Sequence, residues 1–298
     1  MRARPDPSVF MKRARVLAAL ALACLLLPGS VGPAAFPLSS SEPESLTGTV
    51  SYVYDGDTIK VRLDSGEEKS VRLIGVDSPE LDDVHESVRL SAFLAQRFVH
   101  SRLYLRTVRL TRDRETTDAF GRLLAYVWTD GTMFNGTLLR EGYAKAYLKY
   151  PFDASLMRAF REAEAEARLA GKGLWRKSPV PVIGAVEARE RIGQVVTVRY
   201  RCARAFNRGR FHVLSPAEDD GFEAVVAREV LSSFPGSLDF AGRMLEVTGF
   251  VEEFAGRPQI MIGVPLQVRA VGPAAPIPFP FDTGPVMVYI NVLAPRYP

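Results

Sequence analysis

Two hydrophobic periods alternate along residues 46–178, and their order leaves few ways to bury the apolar side chains. Ile59, Val61 and Leu63 alternate with Lys60, Arg62 and Asp64, the period of a half-buried strand. Asp64-Ser65-Gly66 supplies a turn, and the next strand carries Val71, Leu73 and Gly75 on one face and Arg72, Ile74 and Val76 on the other. From Val84 to about Arg102 the period lengthens: Val88, Ala92, Ala95 and Val99 recur at helical spacing. Strands return at residues 103–110 and 123–129, with Asp130-Gly131 as a turn, and Leu138 and Leu139 mark a short helix. Asp153 is placed to cap a helix with Leu156, Phe160, Ala163 and Ala167 on one apolar face, Gly171 at its end and Trp175 packing back on the core. Strands, helix, strands, helices predict a small barrel with helices packed on it.

Pro179 and Pro181 mark a boundary, after which residues 182–272 read as a second domain. Strands are expected at 195–202, 210–214, 222–227, 244–254 and 258–270, with a short helix between the third and fourth and a hairpin connection at Ala255-Gly256-Arg257. Five strands with one helix in that place follow the order of an OB-fold barrel. Residues 273–298 are rich in proline and read as a tail.

The 298-residue chain carries a formal charge of +4, and residues 1–35 account for all of it with Arg2, Arg4, Lys12, Arg13 and Arg15 against Asp6. Those bases precede an apolar run from Val16 to Leu27 and a small-residue exit, the layout of an export signal. The run is shorter than the roughly 20 residues a permanent anchor needs, so no membrane span is expected after its removal. Met11 offers a second start, and Cys24 a lipoprotein site that its place inside the run argues against. Export to a periplasm or the medium is expected, after a linker at residues 36–45. Without the signal the chain is near neutral, and residues 182–272 hold eleven bases and eleven acids. A high isoelectric point is therefore no evidence for nucleic-acid binding, which has to rest on a site. Cys202 would remain alone, so no internal disulfide is available.

Hydrolysing a phosphodiester needs a hard cation, a base for the attacking water and guanidinium groups for the charge growing on phosphoryl oxygens. Asp55-Gly56-Asp57-Thr58 opens a strand, and by itself reads as a tight turn. In Arg72-Leu73-Ile74-Gly75-Val76-Asp77-Ser78-Pro79-Glu80, Arg72 and Asp77 are expected towards opposite ends of one strand, which Pro79 stops with Glu80 at its mouth. Asp118-Ala119-Phe120-Gly121-Arg122 brings a second arginine to the start of another strand. His85, His100 and His212 have no nucleophile or metal-ligand spacing around them.

Together with Gly121-Arg122-Leu123-Leu124-Ala125-Tyr126, Asp130-Gly131 leading to Asn135, Gly142-Tyr143-Ala144-Lys145, the charged helix at 160–169 and Leu174-Trp175, these segments resemble the staphylococcal nuclease family over residues 46–178. The resemblance implies a β-rich α+β fold: an OB-type five-stranded barrel with packed helices, followed here by a second OB-like barrel. It also implies Ca²⁺ held by Asp57, Asp77 and the Ser78 carbonyl, Glu80 activating water, and Arg72 and Arg122 gripping the phosphate. DNA and RNA are the implied substrates, 3′-phosphate ends the implied products, and a monomer is expected. Ala119 and Phe120 depart from the lysine and tyrosine of well-known members, which puts tight nucleotide binding in doubt. The acidic Asp82, Asp83 and Glu86 predict weaker electrostatic capture than a basic loop gives. In the second domain, Phe206, Arg208, Arg210 and Phe211 are suitable types for contacting single strands, and equally read as core aromatics and solvated arginines. The rival reading is a non-catalytic protein that binds nucleic acid with two barrels. A third keeps the nuclease and lets the second barrel choose structured substrates.

Overall fold

The computed structural model describes residues 45–271 apart from 218–220, 235–237 and 239. The expected signal with Cys24, the lead-in up to residue 44 and the 273–298 tail lie outside the described residues. Among those described, no helix is long and apolar enough to cross a membrane.

Five strands close the first barrel: β1 (Ser45–Val53), β2 (Thr58–Leu63), β3 (Glu68–Leu73), β5 (Thr107–Thr111) and β6 (Leu123–Thr129). Antiparallel ladders join β1 to β2, β2 to β3, β5 to β6 and β1 to β5, and a parallel ladder between β3 and β6 shuts the ring. The alternation read from the sequence fills it: Val50, Ile59, Val61, Val71, Leu73, Val108, Leu110, Ala125 and Val127 are each at most 1 % exposed. Burying a side chain of this size contributes about 1.5–3 kcal/mol. The short strands β4 (Val76–Asp77) and β8 (Lys145–Ala146) pair with each other, and β7 (Thr132–Met133) turns back on β6.

Three helices cover the barrel. α1 (Glu86–Leu103) buries Ala92, Ala95, Phe98, Val99 and Leu103, whereas Val84, expected in the helix, is exposed ahead of it. α2 spans Phe134–Arg140. In α3 (Ala154–Ala170) the capping residue is Asp153, whose carboxylate accepts from the N–H groups of Ser155 and Leu156; Gly171 ends the helix in the left-handed region, and the four expected apolar positions are buried. Trp175 does not enter the core; it is half-buried under the Arg168 guanidinium, 3.9 Å from its ring centre.

The second set of strands is β9 (Val182–Gly184), β10 (Val195–Arg201), β11 (Arg204–Arg208), β12 (Phe211–Ser215), β13 (Glu223–Ala227), β14 (Met244–Phe254), β15 (Arg257–Ile262) and β16 (Val268–Val271). A short 3₁₀ turn at Arg228–Ser233 stands where the helix was expected. These strands form one eight-stranded sheet in the order β11-β12-β13-β15-β14-β10-β9, with β16 also on β14. The expected second closed barrel is therefore not formed. The first expected strand ends at Arg201, and an unexpected strand, β11, follows Cys202-Ala203; β10 pairs with β14 and β11 with β12, and no ladder joins β10 to β12. The two cores are not sealed from each other: Phe250 on β14 belongs to the barrel's apolar cluster, and Val195, opposite it on β10, packs there too.

Candidate active site

Register brings the first three residues together. Thr58 at the start of β2 lies opposite Arg72 near the end of β3, and Arg122 stands just before Leu123, which pairs with Val71. One end of three neighbouring strands thus gathers side chains separated by up to 64 positions.

Arg72 and Asp77 do not occupy opposite ends of one strand. The strand stops at Leu73, and Gly75 turns the chain at φ 73°, where a Cβ would meet the Phe160 ring at 2.6 Å. The turn folds Val76 and Asp77 back over Arg72. Its Nη1 donates to the carbonyls of Leu73 (3.2 Å) and Val76 (2.8 Å), while Nη2 lies 3.2 Å from Asp57 Oδ2 and 3.5 Å from Asp77 Oδ1. One guanidinium therefore holds both carboxylates at a fixed spacing.

Asp57 is 4 % exposed and set by its neighbours. Asp55 Oδ1 accepts from the N–H groups of Asp57 (2.8 Å) and Thr58 (2.6 Å), tying the Asp-Gly-Asp-Thr turn. Gly56 admits no side chain there: a Cβ would sit 2.7 Å from Ser78 Cβ and 2.8 Å from Ala95 Cβ. The N–H of Ser78 donates to Asp57 Oδ2 at 2.7 Å, which fixes Asp57 against the segment carrying Asp77. The Thr58 hydroxyl donates to Asp57 Oδ1 (3.1 Å) and accepts from Arg122 Nη1 (3.3 Å). Arg122 Nε donates to Asp118 Oδ2 at 2.7 Å, and its guanidinium stands 5.3 Å from the centre of the Phe120 ring, itself 84 % exposed.

Glu80 follows Pro79 on the exposed side of this cluster. Its carboxyl is pushed up from the ordinary range by partial removal from water and by the charges of Asp57 and Asp77, against the pull of Arg72. Asp77 is raised by burial and by Asp57, against Arg72 and Lys145. Asp55 reaches about 6, from burial first and Asp57 second.

The structure thus brings together Asp57, Asp77, Ser78, Arg72 and Arg122 with Glu80 beside them. Sequence reasoning missed Asp55, Thr58 and Asp118. The first and last were readable, since Asp-x-Asp-Thr and Asp-x-x-Gly-Arg are both patterns in which an aspartate ties its own turn; the Thr58–Arg122 contact has no local signal. Phe206, Arg208, Arg210 and Phe211 share the β11–β12 hairpin, with Arg208 opposite Phe211. Both guanidiniums are engaged: Arg208 makes two bonds to Glu223 on β13, at 3.1 and 2.6 Å, and Arg210 one to Glu229 in the 3₁₀ turn at 2.8 Å.

Among the described residues no group of three or more His, Cys, Asp or Glu side chains is arranged to hold a metal alone. The donor set still fits a hard cation. Two oxygen-bearing side chains are fixed side by side, and the Asp57 charge raises the carboxyls of Asp77 and Glu80, so added positive charge would relieve the site.

Two guanidiniums interlocked with paired carboxylates thus stand at one end of a closed five-stranded barrel. Residues 70–177 match the family model described as staphylococcal nuclease homologue. The chain is 35 % identical over 162 residues to the thermonuclease of Staphylococcus intermedius, covering 54 % of this chain and 95 % of that one. It is 36 % identical over 135 residues to the thermonuclease of Staphylococcus hyicus, covering 45 % and 79 %. To endonuclease YncB of Bacillus subtilis it is 32 % identical over 143 residues, covering 48 % and 67 %. The chain belongs to the staphylococcal nuclease family; the family match does not reach the second sheet.

Proposed function

We propose that this nuclease hydrolyses phosphodiester bonds of DNA and RNA with Ca²⁺ at Asp57 and Asp77, leaving 3′-phosphate ends. The observation that carries the reading is Arg72 bridging Asp57 and Asp77 while Thr58 ties Asp57 to Arg122. Asp57, Asp77 and the Ser78 carbonyl would hold the cation, which when bound supplies positive charge for a phosphoryl oxygen. The protein's own groups do the rest. Arg72 and Arg122 neutralise charge growing on the phosphoryl oxygens, and their bonds to Val76, Leu73, Asp118 and Thr58 fix them before substrate arrives. Glu80 takes the proton from the attacking water, and the 5′ oxygen leaves as the new bond forms. The charged head and apolar run of residues 1–35 support work outside the cytoplasm.

The test is hydrolysis of single- and double-stranded DNA and RNA, with Ca²⁺ and with chelator, beside Glu80→Gln. Calcium-dependent cleavage that falls by about two orders of magnitude or more in the variant is expected. Binding without cleavage under every divalent ion would overturn the reading in favour of a two-sheet binding protein.

A further inference from the structure

The site is held from outside the barrel as well as from within. Helix α1 touches the catalytic turn on one side: Ala95 packs on Gly56, and Gln96 Nε2 donates to the carbonyls of Val53 (3.4 Å) and Tyr54 (2.8 Å). At its beginning, Arg89 Nη1 donates to the carbonyls of Asp83 (2.7 Å) and Val84 (3.2 Å), holding the loop that starts at Glu80. Within that loop the N–H of His85 donates to Asp83 Oδ1 at 2.7 Å, and the N–H of Asp83 to the Glu80 carbonyl at 3.5 Å.

The same helix is gripped by the second sheet at three heights. Glu86 Oε1 accepts from the N–H of Leu266 at 2.9 Å. The Phe93 ring lies where a Cβ on Gly263 would come within 2.3 Å, so only glycine lets the loop approach. Arg97 forms a two-bond pair with Glu252 on β14, 2.5 Å from Nε and 2.6 Å from Nη2, with side chains only 12 % and 10 % exposed. The gripping loop is itself locked. Gln267, 1 % exposed, accepts from the N–H groups of Gly263 and Val264 and donates to the carbonyls of Thr248 and Met261. Next to this, Phe250 meets Phe98 of α1 edge to face at 6.2 Å inside the barrel core.

We propose that the second sheet is a brace for the catalytic base: Glu252, with Arg97, is a positioning residue that fixes α1 and, through Arg89 and Asp83, the loop presenting Glu80. This rests on the nuclease reading for what Glu80 does, and on the contacts alone for what holds it. A two-bond, charge-assisted pair largely shielded from water is directional enough to fix a helix against rotation. A carboxylate that drifts by about an ångström from a water in line for attack costs up to about a hundredfold in rate.

The experiment uses the full chain and compares wild type, Glu252→Gln, the exchanged pair Arg97→Glu/Glu252→Arg, and Gly263→Ala, which wedges Phe93 aside without altering a charge. Amide hydrogen exchange is followed at residues 79–85 and at 58–63, with kcat and KM for a single-stranded oligonucleotide in saturating Ca²⁺ and the thermal midpoint. Glu252→Gln is expected to speed exchange at 79–85 about tenfold and leave 58–63 unchanged, while kcat falls about tenfold at unchanged KM. The exchanged pair should restore both, and Gly263→Ala should reproduce the selective loosening. If Glu252→Gln does not fold, Gly263→Ala carries the same test. Unchanged exchange and kcat in both single variants would overturn the brace. So would exchange that quickens equally across the barrel, which marks plain destabilisation. Should wild type cleave nothing, the nuclease reading falls and the exchange comparison still decides whether the sheet holds the loop.

Discussion

Thr58 links the Asp57 carboxylate to the Arg122 guanidinium, as Arg72 links Asp57 to Asp77. Its hydroxyl is buried, donating to Asp57 Oδ1 at 3.1 Å and accepting from Arg122 Nη1 at 3.3 Å. Thr58→Val replaces that hydroxyl by a methyl of nearly the same shape, so the barrel packing survives and the two polar contacts do not. A hydrogen bond to a charged group is worth about 1.5–3 kcal/mol. Arg122 keeps its bond to Asp118 and some access to water, so little of this should appear in stability, about 1 kcal/mol. Most should appear in the rate, because Arg122 then meets the phosphate without its second anchor. The expected loss in kcat/KM is about ten- to a hundredfold. Thr58→Ser keeps the hydroxyl and should stay within about threefold of wild type. Steady-state cleavage in saturating Ca²⁺, paired with urea unfolding of each variant, separates rate from stability. A valine variant within about twofold of wild type, or a serine variant as damaged as valine, would refute the coupling of Asp57 to Arg122 through this hydroxyl.

Asn135 is wholly buried, accepts from the N–H of Val127 at 2.8 Å and donates to the Ile74 carbonyl at 2.9 Å, just before the Gly75 turn. Asn135→Ala strands both backbone groups, and a urea midpoint equivalent to about 3 kcal/mol lost at unchanged slope is expected; under about 1 kcal/mol would count against it. His100 is held down to about 4 by burial and by the Arg97 charge, so the folded protein leaves it neutral where the unfolded chain, near the ordinary value of 6.5, takes up a proton. Stability should therefore fall as pH drops from about 6.5 towards 4, and His100→Gln should flatten that part of the thermal-midpoint profile, whereas parallel profiles would remove His100 from the account.

Much of the candidate site was legible because its pieces are local. Asp57 sits in an Asp-Gly-Asp-Thr turn, Glu80 follows the proline that stops a strand, and Arg122 ends an aspartate-glycine turn; each pattern lies within a few residues. Residues 71–77 read as one period-two run, which puts Arg72 and Asp77 at opposite ends of a strand. Gly75 fits that period as a strand position, but its left-handed backbone reverses the chain there. The second sheet failed differently. Alternation marks strands and their two faces, and Val196, Val198, Leu214, Val226 and Leu245 on the expected strands lie in the second core. It does not tell which strand edges pair, and with no ladder between β10 and β12 the expected ring stays open.

The sequence alone determined the strand and helix order of the barrel, the caps of α3 and the inventory of carboxylates and guanidiniums, because periodicity, capping and turn chemistry act over a few residues. Only the tertiary structure decided that Thr58 links Asp57 to Arg122, that Phe250 completes a core built some fifty residues or more before it, and that Glu252 holds the helix behind Glu80. Those contacts depend on register and on the approach of surfaces far apart in the chain, where the energy lies in geometry that no local pattern encodes.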